Sequence, residues 1–300
     1  MRLVAHPARR AVVVMTNASS LRGIAVMTAG AGLLTLNDAA SKYLTEYYPV
    51  GQVVCLRQAA AIAFMLPYAW AVTGIAALRP VNHGGQLLRG LLFVGSTGFT
   101  LTGLSLLPLS FVTIVLFSGP LFVALMSAPV LGERVGFHQW IAIGCGFLGV
   151  LIIVRPTGSA FAWAMLLPLG AAITNGFRDA LTRRLSRTDS SIAVLLWSGV
   201  IVMIAGLLTL PFGWKPVDLH GAGWFLLAGF LNAAAHFVVI EAFRLGRAAV
   251  VAPFRYTGLL WAMLVGFIVW REVPDAWMLA GAAIVVCAGL YMLRHGVSKT

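Results

Sequence analysis

The sequence predicts an all-α integral membrane protein of about ten transmembrane helices, arranged as two inverted five-helix repeats. Three observations carry this. Of 300 residues, 60% are apolar and only 10% charged, with a mean hydropathy of +0.93; that leaves too little polar surface to cover a water-soluble globule. The apolar residues fall into runs of about 20, the length at which a helix crosses the hydrocarbon core. Finally, the octet Asn37-Asp38-Ala39-Ala40-Ser41-Lys42-Tyr43-Leu44 returns as Arg178-Asp179-Ala180-Leu181-Thr182-Arg183-Arg184-Leu185. Five spans per repeat is an odd number, so the second copy enters the bilayer from the opposite side.

Within hydrocarbon every backbone polar group must be satisfied inside its own segment, which makes each run a helix. Residues 21–42 close on the first octet, and 49–72 hold Arg57. Residues 86–106 follow the flexible Gly84-Gly85 and carry Ser96 and Thr100 one turn apart. Residues 109–130 are interrupted by Pro120. Residues 136–154 open with Trp140 and Gly144, and 160–185 hold Trp163 and close on the second octet. Residues 191–211 carry no charged residue. Residues 221–244 carry Asn232 and His236 one turn apart, 247–270 hold Pro253 and Arg255, and 275–293 open with Trp277 and Gly281. The domain reading is a tail over 1–20, a first repeat over 21–155, a second over 156–294 and a short tail over 295–300.

The bases set an orientation. With the N-terminus inside, fourteen of the 21 Lys and Arg fall on the cytosolic side. Four fall outside (Lys42, Arg155, Lys215 and Arg271), and Arg57, Arg178 and Arg255 lie within spans. That positive-inside bias puts both termini in the cytosol. It also accounts for the net charge of +12 without nucleic acid, because the bases sit in short connections between apolar runs. Cys55, Cys145 and Cys287 lie inside spans without metal-ligand spacing and the histidines are scattered, so no metal site is expected. No Walker motif occurs, and no cofactor is implied.

The fourth and fifth spans of each half share a further pattern. Ser118-Gly119-Pro120 leads to Gly132-Glu133, Trp140 and Gly144; Pro253, Arg255, Tyr256 and Gly258 lead to Arg271-Glu272, Trp277 and Gly281. This resembles the EamA-type repeat of the drug/metabolite transporter superfamily, over nearly the whole chain. The resemblance implies ten spans, two inverted repeats and both ends inside. Within the superfamily the chain looks most like bacterial amino-acid exporters of the YddG type, which implies a multi-pass protein of the bacterial inner membrane. The second half departs from the first by Arg271 where Gly132 stands.

Each candidate residue has a structural and a functional reading. Asp38 with Lys42, and Asp179 with Arg183, stand at i and i+4 with the acid first. That is the favoured order for a helix-end ion pair, and also a way to build mirrored gates. Arg57 and Arg255 sit inside spans, where an arginine faces a wet space or a partner. Arg255 is a receiver for a substrate carboxylate, or a structural partner of Glu241 or Asp179. Pro120 and Pro253 free carbonyls near mid-membrane, as kinks or as cavity lining. Thr100, Asn232 and His236 offer a polar wall or interhelical hydrogen bonds. Phe99, Phe117, Trp163 and Tyr256 offer aromatic walls, packing or lipid contact.

Inverted halves are the architecture of alternating-access carriers. The reading is a secondary transporter that exports neutral, aromatic or otherwise apolar amino acids and related metabolites, with the lipid bilayer and a small-molecule substrate as its partners. Carriage of a nucleoside, drug-like solute or sugar phosphate is the alternative on the same fold, and a non-transporting membrane sensor the alternative from another class. A membrane enzyme would need a clustered acid, base or metal constellation that the sequence lacks.

Overall fold

The computed structural model describes residues 7–74, 78–131, 136–154, 162–185, 188–245 and 251–296. Those residues are almost entirely helical. The α-helices are α1 (Pro7–Tyr47), α2 (Val50–Thr73), α3 (His83–Leu106), α4 (Leu109–Leu116), α5 (Gly119–Leu131), α6 (Phe137–Val154), α7 (Leu166–Leu185), α8 (Ser191–Leu207), α9 (Leu219–Leu245), α10 (Thr257–Trp270) and α11 (Ala276–Gly296). A 3-10 turn, Ala252–Tyr256, leads into α10. Since α4 and α5 form one broken segment, these helices make the ten-segment membrane fold that the hydropathy runs predict.

Five stretches are long and apolar enough to cross a bilayer by composition alone, and three shorter apolar helices accompany them. The two helices outside that set, α1 and α7, carry the repeated octets, whose polar residues lower their hydropathy. At 41 residues α1 is about 60 Å long at 1.5 Å per residue, and it begins at Pro7, inside the stretch expected to be a tail.

The pseudosymmetry shows in the packing. α1 lies against α9 as α7 lies against α3, and α6 pairs with α11. That last pair is held by glycines: an added Cβ at Gly149 would stand 2.9 Å from the Gly281 carbonyl oxygen, and one at Gly281 2.7 Å from that of Gly149. Small residues allow such backbone approach between membrane helices. The octets repeat down to their back-bonds, with Ser41 Oγ donating to the Asn37 carbonyl and Thr182 Oγ1 to that of Arg178, each at 2.7 Å. The largest buried cluster joins α1, α2 and α3 to α4, α6, α9 and α11, so the two repeats share one core.

Both fourth segments are discontinuous. α4 ends at Leu116, Phe117 and Ser118 make a turn, and α5 restarts at Gly119. In the second repeat Ala252–Tyr256 winds as a 3-10 turn before α10. Pro120 and Pro253 each fall in the first turn of a new helical piece, where a missing N–H costs little. The Pro253 ring lies outside the described residues.

Candidate functional site

One end of the bundle gathers the C-termini of α1, α3 and α10 and the N-termini of α2, α4 and α11. Lys42, in the last turns of α1, bridges them. Its Nζ sits 2.5 Å from Glu272 Oε1 and donates to the Leu107 carbonyl at 2.8 Å. Glu272 Oε2 accepts from the Leu109 N–H at 2.7 Å, so the carboxylate caps the start of α4, where helix geometry favours negative charge. The ammonium also lies 5.0 Å from the Trp270 ring centroid, and Trp270 donates to Glu46 at 2.7 Å. Both charged side chains are 11% exposed. One helix of the first repeat is thereby tied to the α10–α11 connection of the second.

This geometry differs from the expected i to i+4 pair. Asp38 does not take Lys42. It accepts from Asn37 Nδ2 at 3.1 Å, and Asn37 Oδ1 in turn accepts from Arg57 Nη1 at 3.2 Å. Asn37 therefore links Asp38 to Arg57 and leaves Lys42 free to reach across the repeats. In the second octet, Asp179 Oδ1 accepts from Arg178 Nε and Nη2 at 3.1 and 2.9 Å; the Arg183 side chain lies outside the described residues.

At the opposite end Arg89 has an unexpected place. It stands two turns into α3 and reads in sequence as an interfacial base, yet it is 6% exposed. It donates Nε to Thr182 Oγ1 at 2.7 Å and Nη1 to the Val194 carbonyl at 3.0 Å and to Ser198 Oγ. The planar fork suits this task, since one guanidinium can span α7 and α8 at once. Arg178 lies over the Phe93 ring at 5.0 Å, one turn along α3 from Arg89.

The discontinuities meet aromatically. Phe117, in the first break, stands 5.4 Å from Tyr256, the last residue of the 3-10 turn. Thr35 of α1 donates to the Gly258 carbonyl at 3.2 Å just past that turn, satisfying a backbone group there. The Tyr256 hydroxyl is buried without a hydrogen-bond partner, and points to Gly289 of α11, where an added Cβ would come within van der Waals overlap.

The remaining candidates divide. Phe99 is part exposed and lies on Gly170 of α7; Thr100 is half-buried in α3, and Asn232 is buried in α9. His236 and Arg255 are exposed although they sit on interior elements. Trp163 is 79% exposed, in a 3-10 turn before α7. α9 packs chiefly on α1 and α2, and α3 on α7 and α8. Ser96 spends its hydroxyl on the Phe93 carbonyl of its own helix at 3.1 Å.

Sequence reasoning missed Glu272 as the partner of Lys42, and Arg89 as a buried anchor. The former had a signal, since both repeats carry a base in the octet and a Glu after the fourth segment.

Broken fourth segments, an inter-repeat ionic bridge at one end and interior polar groups define a helical membrane protein of the inverted-repeat carrier class. The profile of the EamA-like transporter family matches residues 21–155 and again 162–294, and the chain belongs to that family. Among curated proteins it is similar to an S-adenosylmethionine uptake transporter of Rickettsia bellii, with 28% identity over 86% of this chain and 88% of that one. It is also similar to a riboflavin transporter of Rhizobium johnstonii, with 30% identity over 80% and 79%, and to the pseudopaline exporter CntI of Pseudomonas aeruginosa, with 25% over 91% and 96%. A solved crystal structure shares the fold at a TM-score of 0.61 and 16% identity, covering 94% of this chain and 98% of the other.

Proposed function

We propose that this transporter works by alternating access across the bacterial inner membrane, both termini cytosolic, and exports small amphipathic metabolites with a carboxylate. Amino acids with large apolar or aromatic side chains are the first class to try. The observation that carries this is the Phe117–Tyr256 contact between the two helix breaks, 5.4 Å between ring centroids, with exposed Arg255 on the same 3-10 turn as Tyr256. An aromatic wall beside a guanidinium suits a solute with one apolar end and one acidic end. Thr100, Asn232 and His236 would orient its polar groups, and Phe99 and Trp163 would extend the apolar wall.

In the cycle, the Lys42–Glu272 bridge closes one end while solute enters from the other, and its rupture opens that end. Asp38 and Asp179 would tune the two octets, with Arg183 the counterpart of Lys42. The names of the relatives, two for uptake or transport and one for export, favour a carrier over a sensor. They also fit a family in which the cavity lining, and not the fold, selects the solute.

The test is a thermal-stability screen of purified protein against amino acids, nucleosides, sugar phosphates and polyamines, because a ligand of the folded state raises its melting temperature. Counterflow of labelled phenylalanine, threonine and alanine in proteoliposomes follows. Stabilisation and flux by phenylalanine above alanine are expected; flux of none of the three would overturn the amino-acid assignment.

A further inference from the structure

Past Lys42 the end of α1 runs into three tyrosines. Tyr43 and Tyr47 stand one turn apart on the helix, and Tyr48 follows it. Beside them α9 begins, with Asp218 accepting from the Gly221 N–H as its cap and with His220 and Trp224 one turn apart. Together these residues line a cavity of about 280 Å³, at the small end for a ligand pocket.

The rings converge on one space. The Tyr43 centroid lies 5.0 Å from that of Tyr47 and 4.6 Å from that of Trp224, tilted to both. Tyrosines and tryptophans that merely anchor helices at a membrane surface need neither this convergence nor an acid beside it. Asp218 supplies the acid. It accepts the Gly221 N–H at 2.8 Å and the Tyr48 hydroxyl at 3.1 Å, both on Oδ1, so Oδ2 keeps its lone pairs. Gly221 permits that arrangement, because an added Cβ there would overlap the Tyr48 hydroxyl.

The remaining polar groups also suit a positive guest. Trp224 Nε1 donates to His220 Nε2 at 3.1 Å, and Tyr43 Oη lies 3.5 Å from the same nitrogen. An indole N–H can only donate, so that nitrogen presents a lone pair and no proton. Among the described residues no lysine or arginine lines the cavity, and Lys215, in the connection before α9, donates its ammonium to the Tyr47 carbonyl at 2.7 Å.

We propose that this cavity binds an alkylammonium group, carried by a free solute or by a lipid headgroup, through the ring faces of Tyr43, Tyr47 and Trp224 and the charge of Asp218. Aromatic faces attract a cation electrostatically, and the carboxylate adds a full opposite charge within the same small space. The site lies on α1 and α9, apart from the helix breaks that carry Phe117, Tyr256 and Arg255, and it recognises the opposite charge. It therefore stands whatever solute the carrier moves.

The test is calorimetric titration of the purified full-length protein, in a maltoside detergent, with choline and with dimethylbutanol, its carbon isostere without the charge. Choline should bind about tenfold more tightly. Tyr43→Phe should hold that preference and Tyr43→Leu should reduce it about threefold. Asp218→Asn, which can still cap α9, should weaken choline and leave the alcohol unchanged. The titration is then repeated in nanodiscs. Weaker choline binding in phosphatidylcholine than in phosphatidylglycerol discs would identify a lipid headgroup as the occupant, and equal binding a free solute. Equal affinity for choline and its isostere, no saturable choline binding in detergent, or a preference unchanged in both Tyr43→Leu and Asp218→Asn would overturn the inference and leave the carrier reading standing.

Discussion

Lys42 and Glu272 form an ion pair at 2.5 Å between the first helix of one repeat and the connection after the fourth segment of the other. Each charge has a second backbone partner, the Leu107 carbonyl for the ammonium and the Leu109 N–H for the carboxylate. The bridge is therefore a four-point clasp across the hinge between α3 and α4. Removing one partner strands the other in a site only 11% exposed.

Glu272→Gln should lower stability by about 3–5 kcal/mol, the usual cost of leaving a buried charge alone. It should also open this end. In a background without native cysteines, a Cys at Ser41, fully buried in the closed form, should react faster with an impermeant thiol reagent once Glu272 is replaced. Unchanged labelling would make the clasp purely structural.

The pattern of apolar runs was enough for the helices and the two-repeat plan, because in hydrocarbon the backbone has one economical choice. Partners were harder to read. Asp38 and Lys42 have the spacing of a local pair, but a helix end in a bundle meets connections from other segments, and Glu272 lies 230 positions away. Arg89 misled for a related reason. Two turns from a helix start, a base ordinarily reaches the membrane surface, yet here α7 and α8 cover it and supply three acceptors. Trp163 shows the converse: a tryptophan inside an apolar run ends up 79% exposed, in a 3-10 turn that precedes α7.

Arg89→Lys should not rescue Arg89→Ala. One ammonium cannot reproduce a fork shared between Thr182, the Val194 carbonyl and Ser198, and unanswered buried groups cost about 1–3 kcal/mol each. Melting temperatures of both variants in detergent check this; a lysine variant as stable as wild type would contradict it.

Gly289→Ala should destabilise by about 1–3 kcal/mol, the range for overpacking, because its Cβ would collide with the Tyr256 hydroxyl. Tyr256→Phe removes that oxygen, which has no hydrogen-bond partner to lose. The double variant should recover part of the stability lost by the single one, since the ring Cζ would still stand 2.6 Å from that Cβ, and a purely additive loss in the melting temperatures would refute the contact.

Asp218, in the connection before α9, accepts from the Gly221 N–H at 2.8 Å and from Tyr48 Oη at 3.1 Å. These bonds, led by the Gly221 amide, hold its carboxyl below the usual 3.8. A depressed folded value means the stabilisation is present above the unfolded value and is lost as pH falls through the folded one. Wild type should thus melt above Asp218→Asn at pH 6, and the gap should close below about pH 4. A gap that persists in acid would assign the effect to shape and not charge.

The central claim is that the Lys42–Glu272 end must open for solute to move. Lys42→Cys with Glu272→Cys, joined by a reducible bifunctional thiol reagent in proteoliposomes, tests it directly through counterflow of a solute found to stabilise the protein. Crosslinking should abolish counterflow while thermal stabilisation by that solute persists, and reduction should restore the flux. Undiminished counterflow through fully crosslinked protein would contradict the account.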